Sequence, residues 1–152
     1  MIKKLIILLL SFFDFFHQRK IIKFLSKKNL TKIDILFDVG AHKGESINLF
    51  LSNMNVKKII SFEPSPTNFL RLKNIKEHYI KKFDKTEILI ENIGLGNENK
   101  ETNFKQFEES SSSTMKEIDE ESSYFKKKFN LLNYFSKEKK YKILKVKIIT
   151  LE

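Results

Sequence analysis

Residues 33–45 read Ile-Asp-Ile-Leu-Phe-Asp-Val-Gly-Ala-His-Lys-Gly-Glu. The apolar run from Ile35 to Val39 breaks at a turn holding Gly40 and Gly44, and a helical pattern follows at once. This order predicts a buried strand, a tight glycine turn and a helix N-terminus. Glycine lets the backbone approach a ligand, because it lacks a Cβ and adopts positive φ at no steric cost. The first helical N–H groups have no partner within their own helix. Asp38 falls at the carboxyl end of the strand, where open α/β sheets take their ligands. The pattern Asp38-x-Gly40-x-x-x-Gly44 therefore reads as a small-molecule site.

A dinucleotide fingerprint would need Gly-x-Gly-x-x-Gly, and this turn lacks it. The spacing is closer to the first motif of class I S-adenosylmethionine (SAM) methyltransferases, with His42 at the middle glycine.

Working outward, Ser46 to Asn53 continues the helix, with Ile47, Phe50 and Leu51 at helical spacing. Lys58 to Phe62 reads as a second short strand, which completes a βαβ unit with a right-handed crossover. Glu63 closes that strand, roughly 20 positions past the glycine turn. An acid so placed suits the two hydroxyls of a ribose, since one carboxylate can accept from both. Pro64 and Pro66 stop the strand, and Pro66 can open the next helix, Asn68 to Lys82 carrying the stripe Phe69, Leu70, Leu72, Ile75, Tyr79 and Ile80. Thr86 to Ile93 reads as a third strand. Asn92, at its end, suits either a base or ribose contact or an ordinary turn.

The remainder of the chain is less regular. Glu101 to Phe107 alternates as a short strand. Glu108 to Glu121 is a serine-rich, acidic connection. Tyr124 to Phe135 reads as a helix or an irregular lid. Tyr141 to Leu151 is a strand with Leu144, Val146 and Ile148 on one face and Lys145 and Lys147 on the other.

Before the first strand, residues 1–32 form a segment of their own. An apolar run from Leu5 to Leu10 leads into a basic stretch, and Asp14 is its one acid against Lys3, Lys4, Arg19, Lys20, Lys23, Lys27, Lys28 and Lys32. A spanning helix needs about 20 apolar residues, which this run lacks without Ser11 and Asp14. No small-residue cleavage site follows, as a signal peptide would require. The favoured reading is an amphipathic helix packed on the domain or on a partner, with Ile21, Phe24 and Leu25 on its apolar face. Attachment to a membrane surface stays open.

Composition narrows the chemistry further. With no cysteine among 152 residues, thiol catalysis, disulfides and thiolate metal sites are excluded. The three histidines have no ligand spacing, so no metal site is expected. The net charge of +10 would suit an anionic partner. Lysine is abundant throughout, however, and no base-stacking aromatic platform is visible, so nucleic acid is not expected.

Four segments taken together resemble the FkbM family of SAM-dependent methyltransferases. They are Phe-Asp-Val-Gly-Ala-His-Lys-Gly-Glu from Phe37, Ile-Ser-Phe-Glu-Pro-Ser-Pro from Ile60, Asn-Ile-Gly-Leu-Gly from Asn92, and Val-Lys-Ile-Ile-Thr-Leu-Glu from Val146. The resemblance implies an α/β, Rossmann-like three-layer sandwich with a mostly parallel sheet, preceded by the N-terminal helix. It also implies methyl transfer from SAM to a hydroxyl oxygen of a sugar or other small molecule. Carried over, Asp38, Gly40 and Gly44 would line the methionine and ribose region, and His42, which departs from the general glycine-rich pattern, would join the cofactor-binding residues. Glu63 would take the diol, Pro64 and Ser65 would shape the adenine side, and Asn92 would lie near the adenine or the methionyl end. In the family a run resembling Lys-Ile-Asp-Val-Glu-Gly follows the Thr-Leu-Asp/Glu segment, and this sequence stops before it. The expectation is thus a domain over 33–152 truncated after its first half, with strand one left as a sheet edge. No catalytic residue is assigned. The rival readings are a nicotinamide-binding Rossmann oxidoreductase fragment and a non-catalytic remnant at a membrane surface. The expected location is cytoplasmic, with membrane contact through residues 1–32 left open.

Overall fold

The computed structural model of the chain describes residues 16–107, 113–117, 119, 121–123, 127 and 141–151. The chain divides into two compact units, Met1–Asn92 and Ile93–Glu152.

The first unit opens with helix α1 over residues 16–27. Strand β1 (Lys32–Val39), helix α2 (Glu45–Asn53), strand β2 (Asn55–Phe62), helix α3 (Pro66–Lys82) and strand β3 (Glu87–Glu91) follow. The three strands form one parallel sheet in the order β1-β2-β3. Both crossovers step the same way across the sheet, so right-handed connections put α2 and α3 on one face. The core agrees with this. Ile47 and Leu51 of α2, Leu72 of α3, Ile59 of β2 and Ile88 of β3 form one buried cluster. Ile47, Ile59 and Leu72 have no exposed surface, and each contributes about 1.5–3 kcal/mol by burial.

Sequence also explains where the helices start. Ser65 caps α3 by accepting from the Asn68 N–H at 3.2 Å, and Pro66 occupies the first turn, where its missing N–H costs nothing. Helix α2 has no side-chain cap; Gly44 in the left-handed region opens it instead.

Several strand ends shift by one or two residues from the sequence reading, and two boundaries and one face differ with a physical reason. Strand β2 begins at Asn55 rather than Lys58, since its polar start alternates with buried Val56. The third strand ends at Glu91, short of Ile93. On α1, Ile22 and Leu25 pack against the core, whereas Ile21 and Phe24 of the expected apolar face are exposed. Helix α1 is thus held by its Gln18-Ile22-Leu25 side, and these three are its less exposed positions. Among the described residues, no helix is long and apolar enough to cross a membrane.

Strand β1 is the edge of its sheet, and Ile35, Phe37 and Val39 on one of its faces are about half exposed or more. Phe37 lies 6.3 Å from Phe62, ring to ring and stacked.

The second unit holds β4 (Gly94–Leu95), β5 (Lys100–Phe107) and β6 (Tyr141–Ile149). Strand β6 is central, parallel to β4 and antiparallel to β5. Its alternation is as expected: Val146 and Ile148 bury with Phe104, and Glu101 stands opposite Lys147. Gly96 donates its N–H to the Ile149 carbonyl at 2.9 Å. Thr114 bridges to Lys105. Half of the serine-rich connection and nearly all of the aromatic stretch 124–135 lie outside the described residues.

Candidate functional site

Parallel pairing sets Asp38 beside Ser61 and Val39 beside Phe62. Asp38 and Glu63 therefore emerge at the same, carboxyl-terminal end of neighbouring strands. The glycine turn docks directly onto that end. Gly40 and Ala41 both donate their N–H groups to the Phe62 carbonyl, at 2.8 and 3.0 Å.

Glu63 is buried, with 4% of its surface exposed. One carboxylate oxygen accepts from the His42 N–H at 2.8 Å and the other from the Ser65 N–H at 2.9 Å. Its own N–H donates to the Glu91 carbonyl. Asn92 Nδ2 donates to the carbonyls of Glu63 and Pro64, at 2.8 and 3.3 Å. One acidic side chain thus ties together the glycine turn, the loop before α3 and the end of β3. A carboxylate has about four acceptor positions, and the two backbone donors take one on each oxygen.

Asp38 is half-buried, and its Oδ2 accepts from the hydroxyls of Ser46 at 2.7 Å and Ser61 at 3.3 Å. Burial pushes its carboxyl above the usual range; the two hydroxyls pull it back, and the nearby Glu45 charge pushes the same way as burial.

The two glycines have different duties. Both lie in the left-handed region, with φ of 85° at Gly40 and 87° at Gly44. A Cβ on Gly40 would meet nothing within 4 Å. A Cβ on Gly44 would meet Leu72 Cδ1 at 3.0 Å, Tyr79 Cε2 at 3.1 Å and Ile75 Cδ1 at 3.2 Å, all on α3. Gly44 is a packing glycine for helix α3, and Gly40 alone opens onto free space. Between them His42 also has positive φ, 52°, which is uncommon for a residue with a Cβ. Its backbone bond to Glu63 and its ring nitrogen Nδ1, 3.2 Å from Glu45 Oε1, hold it there. Burial raises the Glu45 carboxyl, but hydrogen bonds from His42 and from nearby backbone N–H groups outweigh it and leave the value lowered.

All eight residues singled out in sequence, Asp38, Gly40, His42, Gly44, Glu63, Pro64, Ser65 and Asn92, gather at this one end of the sheet. Sequence reasoning missed their supports. Ser46 and Ser61 hold Asp38, and the Tyr79 hydroxyl donates to the Gly44 carbonyl at 3.2 Å. Register could have found Ser61, which stands directly across from Asp38. Buried Asn68, next to the cap of α3, keeps its Oδ1 without a hydrogen-bond partner. Among the described residues no cluster of metal-ligating side chains occurs.

A parallel β1-α2-β2-α3-β3 run with a glycine turn after its first strand defines a Rossmann-like α/β protein. The family model described as Methyltransferase FkbM domain matches residues 38–152. The chain belongs to that family. A solved structure, the methyltransferase FkbM from Methylobacillus flagellatus KT, is 21% identical, with a TM-score of 0.42. The match covers 46% of this chain and 19% of that one, so the chain spans only a small part of its length. No curated protein matches the chain.

Proposed function

We propose that the carboxyl end of the β1-β2-β3 sheet binds the adenosyl group of S-adenosyl-L-methionine, for methyl transfer to a hydroxyl oxygen of a sugar or other small molecule. The observation that carries this is Gly40. It has positive φ and open space where a side chain would stand, and it lies between two acids at one sheet end.

The residues present fit such a group. Glu63 retains one acceptor position on each oxygen, the number a ribose diol requires. Asn92 gives its Nδ2 to the Glu63 and Pro64 carbonyls, which leaves its Oδ1 as the acceptor it would offer to a base. Gly40 lets the backbone come near the sugar and methionine. His42 and Ser65 shape the wall through their N–H bonds to the Glu63 carboxylate, and Pro64 through its carbonyl, which accepts from Asn92. Gly44 acts one step back, by letting α3 close on the turn. When bound, SAM supplies an electrophilic methyl group on a sulfonium. The chain's part is positioning, because an acceptor oxygen must line up with that methyl and its sulfur. Membership of the FkbM family supports the transferase reading, and the resemblance of the four segments supports a hydroxyl acceptor on a sugar or other small molecule.

Titration calorimetry with SAM, S-adenosylhomocysteine and NAD tests the reading. Binding of the two adenosyl sulfur compounds is expected, weakened at least about tenfold in Glu63→Gln. Binding of NAD alone, or SAM binding unchanged in both Glu63→Gln and Gly40→Ala, would overturn it.

A further inference from the structure

We propose that the outward face of helix α1 docks on an anionic lipid bilayer. This rests on α1 alone and is independent of the adenosyl site.

Helix α1 has two unlike sides. Gln18, Ile22 and Leu25 face inward, and the last two pack against the core. At 3.6 residues per turn the opposite side carries Lys20, Lys23, Phe24 and Lys27, with Ile21 on its flank and Lys28 just past the last turn. These apolar side chains are not covered: Phe24 is 59% exposed and Ile21 38%, and Leu30 just beyond the helix is 49% exposed. Lys28 Nζ stands 6.0 Å from the Phe24 ring centre, so charge and aromatic surface share one patch.

Charge selects the partner. From residue 16 to residue 33 there is no acid, while Arg19, Lys20, Lys23, Lys27, Lys28 and Lys32 are all cationic. Arg19 and Lys23 border a cavity of about 490 Å³ shared with Glu45 and Asn48 of α2, so they have an acid across from them. Lys20 and Lys27 lie on the outward side, Lys28 follows just past the helix, and all three are exposed. A protein partner would have to supply both an acidic and an apolar surface. A bilayer rich in anionic lipid offers both at once: phosphates at headgroup depth for the lysines, and acyl chains just below for Phe24, Ile21 and Leu30. Long lysine stems let the ammonium groups stay at the phosphates while the rings go deeper. Nucleic acid would use the lysines and leave Phe24 and Ile21 without a role. The helix is already fixed by its inner side, so docking needs no folding of α1.

Flotation of the full chain with phosphatidylglycerol–phosphatidylcholine vesicles, and with pure phosphatidylcholine vesicles, tests this. Binding to the anionic vesicles alone is expected, falling steeply as salt rises. Each outward lysine should be worth roughly fivefold in partitioning. The triple variant Lys20→Gln, Lys27→Gln, Lys28→Gln should then lose about a hundredfold. Phe24→Ser should lose about tenfold at unchanged charge. All these side chains are exposed, so the far-UV circular dichroism should not change. The wild-type salt titration tests the same point without any variant. No binding, equal binding to both vesicle types, or anionic binding unaltered in Phe24→Ser and in the triple variant would overturn the proposal. So would duplex DNA displacing the chain from anionic vesicles at physiological salt.

Discussion

Gly40 and Gly44 share almost the same backbone conformation and differ in what surrounds them, so alanine at each separates backbone strain from packing. Gly40→Ala adds a Cβ in the left-handed region, at a cost of about 1–2 kcal/mol. Nothing lies within 4 Å of that Cβ, so no packing cost follows. Gly44→Ala carries the same backbone cost. In addition its Cβ meets Leu72, Tyr79 and Ile75 at 3.0–3.2 Å. One flexible side chain could move aside, but three converge here. Leu72 has no exposed surface to move into, and Tyr79 is tied by its hydroxyl to the Gly44 carbonyl. Overpacking of this kind costs about 1–3 kcal/mol. Gly44→Ala should therefore lose about 2–5 kcal/mol against about 1–2 for Gly40→Ala. Urea unfolding followed by far-UV circular dichroism measures the difference, since the chain has no tryptophan. Equal losses, or a larger one at Gly40, would refute the assignment of Gly44 to helix packing. In SAM titration the ranking should invert when each variant's folded fraction is compared: Gly40→Ala obstructs the ligand, and Gly44→Ala does so only through loss of fold.

Other outcomes follow from the same site. The Asp38 carboxyl is raised by burial, so between its ordinary value of 3.8 and its raised value the folded chain holds a proton that the unfolded chain has released. Stability from this group is full below the ordinary value and is lost as pH rises through the raised one. Asp38→Asn removes that loss, so its melting temperature should gain on the wild type as pH rises across this window. Glu45 runs the other way: its lowered carboxyl stabilises above the usual 4.5, and this is lost as pH falls through the lowered value. A pH series on Glu45→Gln should show the gap to wild type closing in acid. Tyr79→Phe removes one hydrogen bond to Gly44 and should cost about 0.5–1.5 kcal/mol in the same urea assay.

Local pattern carried most of the first unit. The run Ile35–Val39, the two glycines and the Glu63-Pro64 stop are short-range signals, and they located β1, the turn and the end of β2. What escaped depended on distant partners. Gly44 looked like a ligand glycine because its neighbours Leu72, Ile75 and Tyr79 lie some thirty residues on, and only the docking of α3 brings them to it. Apolar residues continue past Glu91, so the local pattern alone extends the third strand to Ile93. The chain instead breaks at Asn92, whose amide turns to the Glu63 carbonyl, and Gly94–Leu95 pairs with β6. On α1, Ile21 and Ile22 are equally apolar, and sequence offered no way to choose which one faces the core. In the second unit β6 was plain from strict alternation, whereas its place between β4 and β5 was not, because register between distant strands leaves no local trace.

The Glu63 carboxylate has a kinetic consequence. His42 and Ser65 lie in loops, where main-chain amides ordinarily trade their hydrogens with water quickly. Here both N–H groups end on one buried side chain, so neither is released until that side chain swings out. In deuterium oxide the two amides should exchange slowly and in step, although 23 positions separate them. Two loops held this way open as one element.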